Sequence, residues 1–196
     1  MRVPLRTLAL LLIIGPISSS LSAQGRGLKP VAAEGSEDDR GPWLLIGAGY
    51  GREDFRFDGE QWAEPFEAPS FQIAAGGRVT PRFLVGLEWN VWADQGQLSD
   101  QQLHAVNLVG MWYPVKRGLF FKGGFGMGFD RIETVDGVFN DSGFGLTAGV
   151  GLDLPIARNV ALLPKADLYI QTYNDPGQTN DFQERLLQLG FGVHFR

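Results

Sequence analysis

Histidine is the scarcest chemically versatile residue in this chain, present only as His104 and His194. A serine activated by a histidine would carry acyl-transfer chemistry, and Ser99 and Asp100 lie close before His104. That spacing fixes no set of nucleophile, base and orienting group, so His104 reads as a rim histidine. His194 stands in Gly-Val-His-Phe-Arg with no serine beside it. Two distant histidines make no metal site, and the chain has no cysteine to supply a thiolate ligand, a thiol nucleophile or a disulfide. Glu37, Asp38 and Asp39 read as a solvated cluster rather than a metal site. Gly123-Gly124-Phe125-Gly126 has glycine spacing suited to a phosphate loop, but no helix follows it. These residues imply no catalytic centre, no metal and no cofactor.

Charge removes a further class of partner. The formal net charge is -5, and the basic Arg2 and Arg6 lie at the extreme N-terminus, before the first acidic residue. Nucleic-acid binding needs a basic footprint to meet phosphates, and an acidic chain lacks it.

The elements that would position any site begin after an N-terminal export signature. Arg2 and Arg6 precede the apolar run Leu8 to Ile14, followed by Gly15-Pro16 and a small-residue stretch to Ala23. This pattern predicts a cleaved signal peptide over residues 1–23. Residues 24–41 combine glycine, proline and charge with few large apolar side chains, which predicts a flexible periplasmic leader. No later stretch has the 18 or so uninterrupted apolar residues of a membrane helix, and mean hydropathy is only -0.06.

From Pro42 onward the dominant period is two. Eight segments alternate in hydrophobicity, approximately Pro42 to Gly51, Ser70 to Thr80, Arg82 to Ala93, Gln101 to Tyr113, Gly118 to Arg131, Ser142 to Leu154, Asn159 to Tyr173 and Arg185 to Phe195. Connections of alternating length join them. The long ones are Arg52 to Pro69, Asp94 to Asp100, Ile132 to Asp141 and Asn174 to Glu184, and the short ones are centred on Pro81, Pro114 to Arg117 and Pro155 to Arg158. In the sixth segment Phe144, Leu146, Ala148, Val150, Leu152 and Leu154 share one face, and glycines, Thr147 and Asp153 share the other. A glycine-rich face is a poor water-exposed strand surface but fits the narrow interior of a small membrane barrel. The expected fold is therefore all-β: an eight-stranded antiparallel up-and-down transmembrane barrel over residues 42–196. Aromatics near the segment ends, Phe83, Phe121, Phe191 and Phe195 low and Tyr50, Phe71, Phe129 and Phe144 high, fit interfacial girdles.

The same alternation turns Arg78, Glu88, Lys122, Asp153, Lys165, Asp167 and His194 inward. Charges in so narrow a lumen must pair or sit in trapped water, which predicts a polar plug, with a small gated pore as the alternative. In the first long connection Phe55, Phe57, Trp62 and Phe66 interleave with acidic residues, a composition suited equally to contact with an extracellular protein or glycan and to packing within the loop.

The strand layout and the closing segment LLQLGFGVHFR resemble the small OmpA-like and OmpX-like outer-membrane β-barrel domains over residues 42–196. The resemblance implies an outer-membrane location, contact with outer-membrane lipid, and a terminal aromatic, here Phe195, read by the barrel-assembly machinery. Arg196 after that aromatic departs from the pattern. The expected role is structural or surface-interactive: loop display, membrane integrity and at most a minor pore. Small barrels resembling this one also include lipid A deacylases and palmitoyl transferases, which would need the serine and histidine pair that this chain does not present. Gly41-Pro42-Trp43 echoes the Gly-x-Trp of lipocalins, but a soluble ligand-binding barrel would need a polar exterior, which the fifth, sixth and eighth segments contradict.

Overall fold

An extended backbone crossing hydrocarbon leaves a donor and an acceptor on every residue, and lipid can pair neither. The chain meets this by closing. The computed structural model describes residues 41–57, 60–95, 99–115, 118–135, 137–173 and 182–196. Its strands are β1 (Pro42–Phe57), β2 (Phe66–Thr80), β3 (Phe83–Gln95), β4 (Ser99–Trp112), β5 (Gly118–Thr134), β6 (Gly137–Ala157), β7 (Val160–Tyr173) and β8 (Phe182–Phe195). Each pairs antiparallel with the next, and β1 pairs with β8 to close the barrel. The expected signal peptide and all of the expected leader except Gly41 lie outside the described residues, as do parts of the expected connections.

The period-two faces follow the sequence reading. All eight girdle aromatics named above are exposed on the outer surface, joined by Trp89, Trp112, Phe125, Leu146, Leu152 and Leu189. Inside, glycines let opposing walls and side chains approach. A Cβ on Gly86 would stand 2.4 Å from the Ala75 carbonyl oxygen and 2.5 Å from the Trp43 indole, so the lumen is filled to the backbone there.

The strands run further than hydrophobic alternation implied. β1 continues to Phe57, β5 to Thr134, and β6 starts at Gly137, so the expected connection Ile132 to Asp141 is mostly strand. Gly137, at φ 150°, stands at the short turn that replaces it. The second outer connection shrinks likewise, to residues 96–98, so the expected regular alternation of long and short connections does not hold. The reason is chemical. Beyond Tyr50 and Phe129 the outward positions become Arg52, Asp54, Arg131 and Glu133. The hydrogen-bonded ladder continues there while the lipid-facing pattern ends.

Phe125 lies midway along the exposed apolar face of β5. Phe125→Arg is expected to cost about 2–4 kcal/mol, the depth-dependent penalty of an arginine at the bilayer midplane. Denaturant titration of the protein folded into lipid vesicles checks this, with Gly123→Ser on the same face as a mild control.

Candidate functional site

The lumen is the candidate site, and period two decides which side chains enter it. Moving inward from the end where β1 begins and β8 ends, the first charged group is Asp153 on β6. It accepts a hydrogen bond from the Tyr113 hydroxyl at 3.2 Å, lies 3.3 Å from Nδ1 of His194, and pairs with the Arg196 guanidinium. Arg196 thus folds back beneath the barrel floor, while its backbone N–H donates to the Asn159 carbonyl at 3.0 Å. Phe195 stays outside, exposed and paired with Leu44 and Val160. Arg78 enters half-buried near the same floor.

Next along the strands comes an apolar layer built from Trp43, Leu45, Leu84, Met111, Phe120 and Leu163. The expected single polar plug is therefore divided: Arg78, Asp153 and His194 belong to the floor, whereas Glu88, Lys122, Lys165 and Asp167 form a separate central network. Lys122 Nζ lies 2.7 Å from Glu88 and 2.8 Å from Asp167, and Lys165 pairs with the other Asp167 oxygen. Two ammonium groups meet two carboxylates, so the layer is neutral. The Tyr169 hydroxyl donates to Glu88 at 2.8 Å, and the Gln72 amide donates to Glu88 and, at 3.2 Å, to Tyr169. Asn90 and Gln188 then exchange amide hydrogen bonds across the lumen at 2.8 and 3.0 Å. Beside this network a cavity of about 10 Å³, lined in part by Gly47, Gly49, Ser70, Gln72 and Lys165, has room for about one water.

Toward the outer end a second apolar cluster follows, made of Ala68, Trp92, Leu103, Ala105, Tyr169, Tyr173 and Leu186. Above it stand Glu53, Asp130 and Glu184, all buried. The outward strand neighbours of Glu53 and Glu184 are Arg52, Asp54, Gln183 and Arg185, and those of Asp130 are Phe129 and Arg131, so the trio lies at the outer edge of the apolar belt, whose outermost large members on these strands are Tyr50, Phe129 and Leu187. Burial, then the charges of Asp130, Asp54 and Asp94, pushes Glu53 up to about 8. Burial likewise lifts Glu184 well above the usual carboxylate range, with the charges of Asp130 and Glu53 adding to the shift. Sequence reasoning missed this group because it assigned Glu53 and Glu184 to loops. The signal was present, since Glu53 continues the odd-numbered inward positions Gly47, Gly49 and Gly51.

The four loop aromatics are placed differently from the expectation. Phe55 and Phe57 are in β1 and Phe66 opens β2, leaving only Trp62 in the connection. Trp62 is packed between two guanidinium groups, Arg185 at 3.5 Å and Arg56 at 4.7 Å from its ring centre. Arg185 also forms a two-pronged pair with Asp54 at 2.8 and 2.7 Å. Phe55 stacks edge-on against Phe57, which touches Phe182. His104 faces outward and lies flat against Trp89 with ring centres 6.1 Å apart. Among the described residues no serine or carboxylate hydrogen-bonds to it, and no three His, Asp or Glu groups are arranged to hold a metal ion.

The central network generates a paired prediction. Lys122→Met leaves Glu88 facing the lumen without its cation and is expected to destabilise the barrel by about 3–5 kcal/mol. Adding Glu88→Gln should recover a substantial part of that loss, as a double-mutant cycle in lipid-folded protein would measure.

The arrangement agrees with the comparisons to known proteins. Residues 21–195 match the family described as outer membrane protein beta-barrel domain. Neisserial surface protein A is similar in structure with a TM-score of 0.58 and 14% identity, covering 78% of this chain and 96% of that one. Ail, the attachment invasion locus protein of Yersinia pestis, gives a TM-score of 0.53 and 15% identity over 78% of this chain and 98% of its own. Ail in complex with the heparin analogue sucrose octasulfate matches equally, over 79% and 99%. No curated protein matches the chain. With a closed eight-stranded barrel, an apolar exterior and a match spanning nearly its whole length, the chain belongs to the outer membrane protein beta-barrel domain family.

Proposed function

We propose that this protein serves as a structural and surface-interaction scaffold of the outer membrane, rather than as an open pore or an enzyme. The observation that carries the reading is the filled lumen. Two apolar layers and a neutral ion-pair network cross it, and the cavity beside that network has room for about one water. Chemistry is disfavoured because, among the described residues, no serine hydrogen-bonds to His104, which is stacked on Trp89, or to His194, whose Nδ1 faces Asp153 and whose Nε2 meets no partner. Residues 1–23 fit a signal peptide removed on export, and Phe195 fits the aromatic read by the barrel-assembly machinery.

The outer strand ends and connections are then the working surface. Phe57 and Phe66 are exposed there, whereas Trp62 and Phe55 serve packing. Exposed Glu60, Glu64, Glu67, Asp100 and Glu133 outweigh exposed Arg52, Arg56 and Arg131. The sulfated ligand bound by Ail is a polyanion. This rim has the opposite bias, so the partner it favours is a basic or neutral extracellular protein or glycan.

Two measurements on the folded protein test this reading. In planar bilayers it should give no steady conductance. On its outer face, oligolysine should bind in a salt-sensitive manner and lose several-fold affinity on combined Glu60→Gln, Glu64→Gln and Glu67→Gln substitution, while sucrose octasulfate should not bind. A steady channel, or tight octasulfate binding with indifference to oligolysine, would contradict it.

A further inference from the structure

At the outer end of the lumen, three carboxyl groups converge, and among the described residues no base meets them. Glu53 comes from β1, Asp130 from β5 and Glu184 from β8, and they are 0%, 3% and 2% exposed. Asp130 and Glu184 face one another closely enough to share a proton. Both carboxyl oxygens of Glu53 and Oε2 of Glu184 are buried with no hydrogen-bond partner. An ionised carboxylate there has neither water nor a donor to replace its hydration.

Among the described residues the walls around the trio add no compensating charge. β2 presents Ala68 and Ser70, β3 presents Asp94, β4 presents Gln101, β6 presents Asp141, and β7 presents Gln171 and Tyr173. Gln101 donates to Asp130 at 3.3 Å, and Tyr173 bonds to Gln171 and Glu184. The nearest bases by sequence, Arg52, Arg131 and Arg185, are turned outward, where Arg131 pairs with Glu133 and Arg185 with Asp54.

Neutralising the trio takes a cation, and the geometry restricts which one. The described residues offer no arrangement of three acidic or histidine groups fit for a metal ion, and the near-complete burial leaves no room for an organic cation. A proton needs neither. We propose that Glu53, Asp130 and Glu184 form a proton-binding site that keeps the outer end of the barrel closed while protonated and loosens it when the protons leave. Deprotonation would set carboxylates of β1, β5 and β8 against each other and against Asp94 and Asp141, in a region where little water screens them. Trp92 would feel this directly, because its indole donates to the Gly51 carbonyl at 3.1 Å, two residues before Glu53. The Lys122 layer lies beyond the apolar cluster and keeps its pairs, so the change is confined to the outer end.

The sign follows from linkage. The folded state holds protons that the unfolded chain has released, so this contribution to stability is complete below the unfolded glutamate value of 4.5 and is lost as pH rises toward about 8, where Glu53 titrates. The full chain folded in lipid vesicles can be followed at pH 6 and pH 9 by infrared absorption of protonated carboxyls and by amide-exchange protection factors. At pH 6 the protonated-carboxyl band should be present. By pH 9 it should fade, with at least a tenfold fall in protection at the outer ends of β1, β5 and β8 and none around Lys122. Glu53→Gln should keep its protection at pH 9. Absence of the band at pH 6 in the unsubstituted protein, or protection factors that do not change between the two pH values, would overturn the proposal even if the variant fails to fold.

Discussion

The unpaired backbone amide is the constraint on which the rest of this structure depends. In hydrocarbon it has no solvent partner, so eight strands must close on themselves, and closure at this number leaves an interior just wide enough for side chains. Everything inside then follows from lack of space. Glycine lines the wall where another chain segment comes close, as at Gly86 against Trp43 and Ala75. At the centre charge is held by close partners, as for Lys122 between Glu88 and Asp167.

The lumen is therefore a set of alternating polar and apolar layers rather than a single plug. The floor carries Asp153 with His194 and Arg196, the centre carries two lysines with two carboxylates, and aromatic and aliphatic layers separate them from each other and from the outer acids. The central layer is neutral and hydrogen-bonded. The outer layer is wholly acidic, and its location at the outer edge of the lipid belt brings it nearer the surrounding water than the central network. Electrostatic tension is thus concentrated at the end that faces the surroundings.

Much of the fold was legible because each lipid-facing stripe is written in consecutive alternate residues, such as Phe144, Leu146, Ala148, Val150 and Leu152. The parts that were not legible share a cause. Past Tyr50 and Phe129 the outward residues turn polar, hydrophobic contrast vanishes, and strands read as loops although backbone pairing continues through Glu53 and Glu133. Inward charges were found by alternation, but their division into floor and centre depends on Trp43, Leu84 and Phe120 meeting across strands distant in sequence. Neutral partners such as Gln72, Asn90, Tyr169 and Gln188 carry no mark that separates a lumen amide or hydroxyl from a solvated one. Trp62 read equally as binding or packing, and nothing local in the sequence marks the Arg56 and Arg185 guanidinium groups that pack on its ring.

The absence of cysteine makes the central claim, a barrel whose two faces see lipid and a packed lumen in strict alternation, open to direct measurement. Cysteine can be placed singly at each position from Phe144 to Leu152 on β6, labelled with a spin probe, and read for contact with lipid-soluble and water-soluble relaxation agents in vesicles. The account predicts lipid contact at 144, 146, 148, 150 and 152 and protection from both agents at 145, 147, 149 and 151. Equal exposure of both sets to the water-soluble agent, or no alternation along the strand, would contradict it.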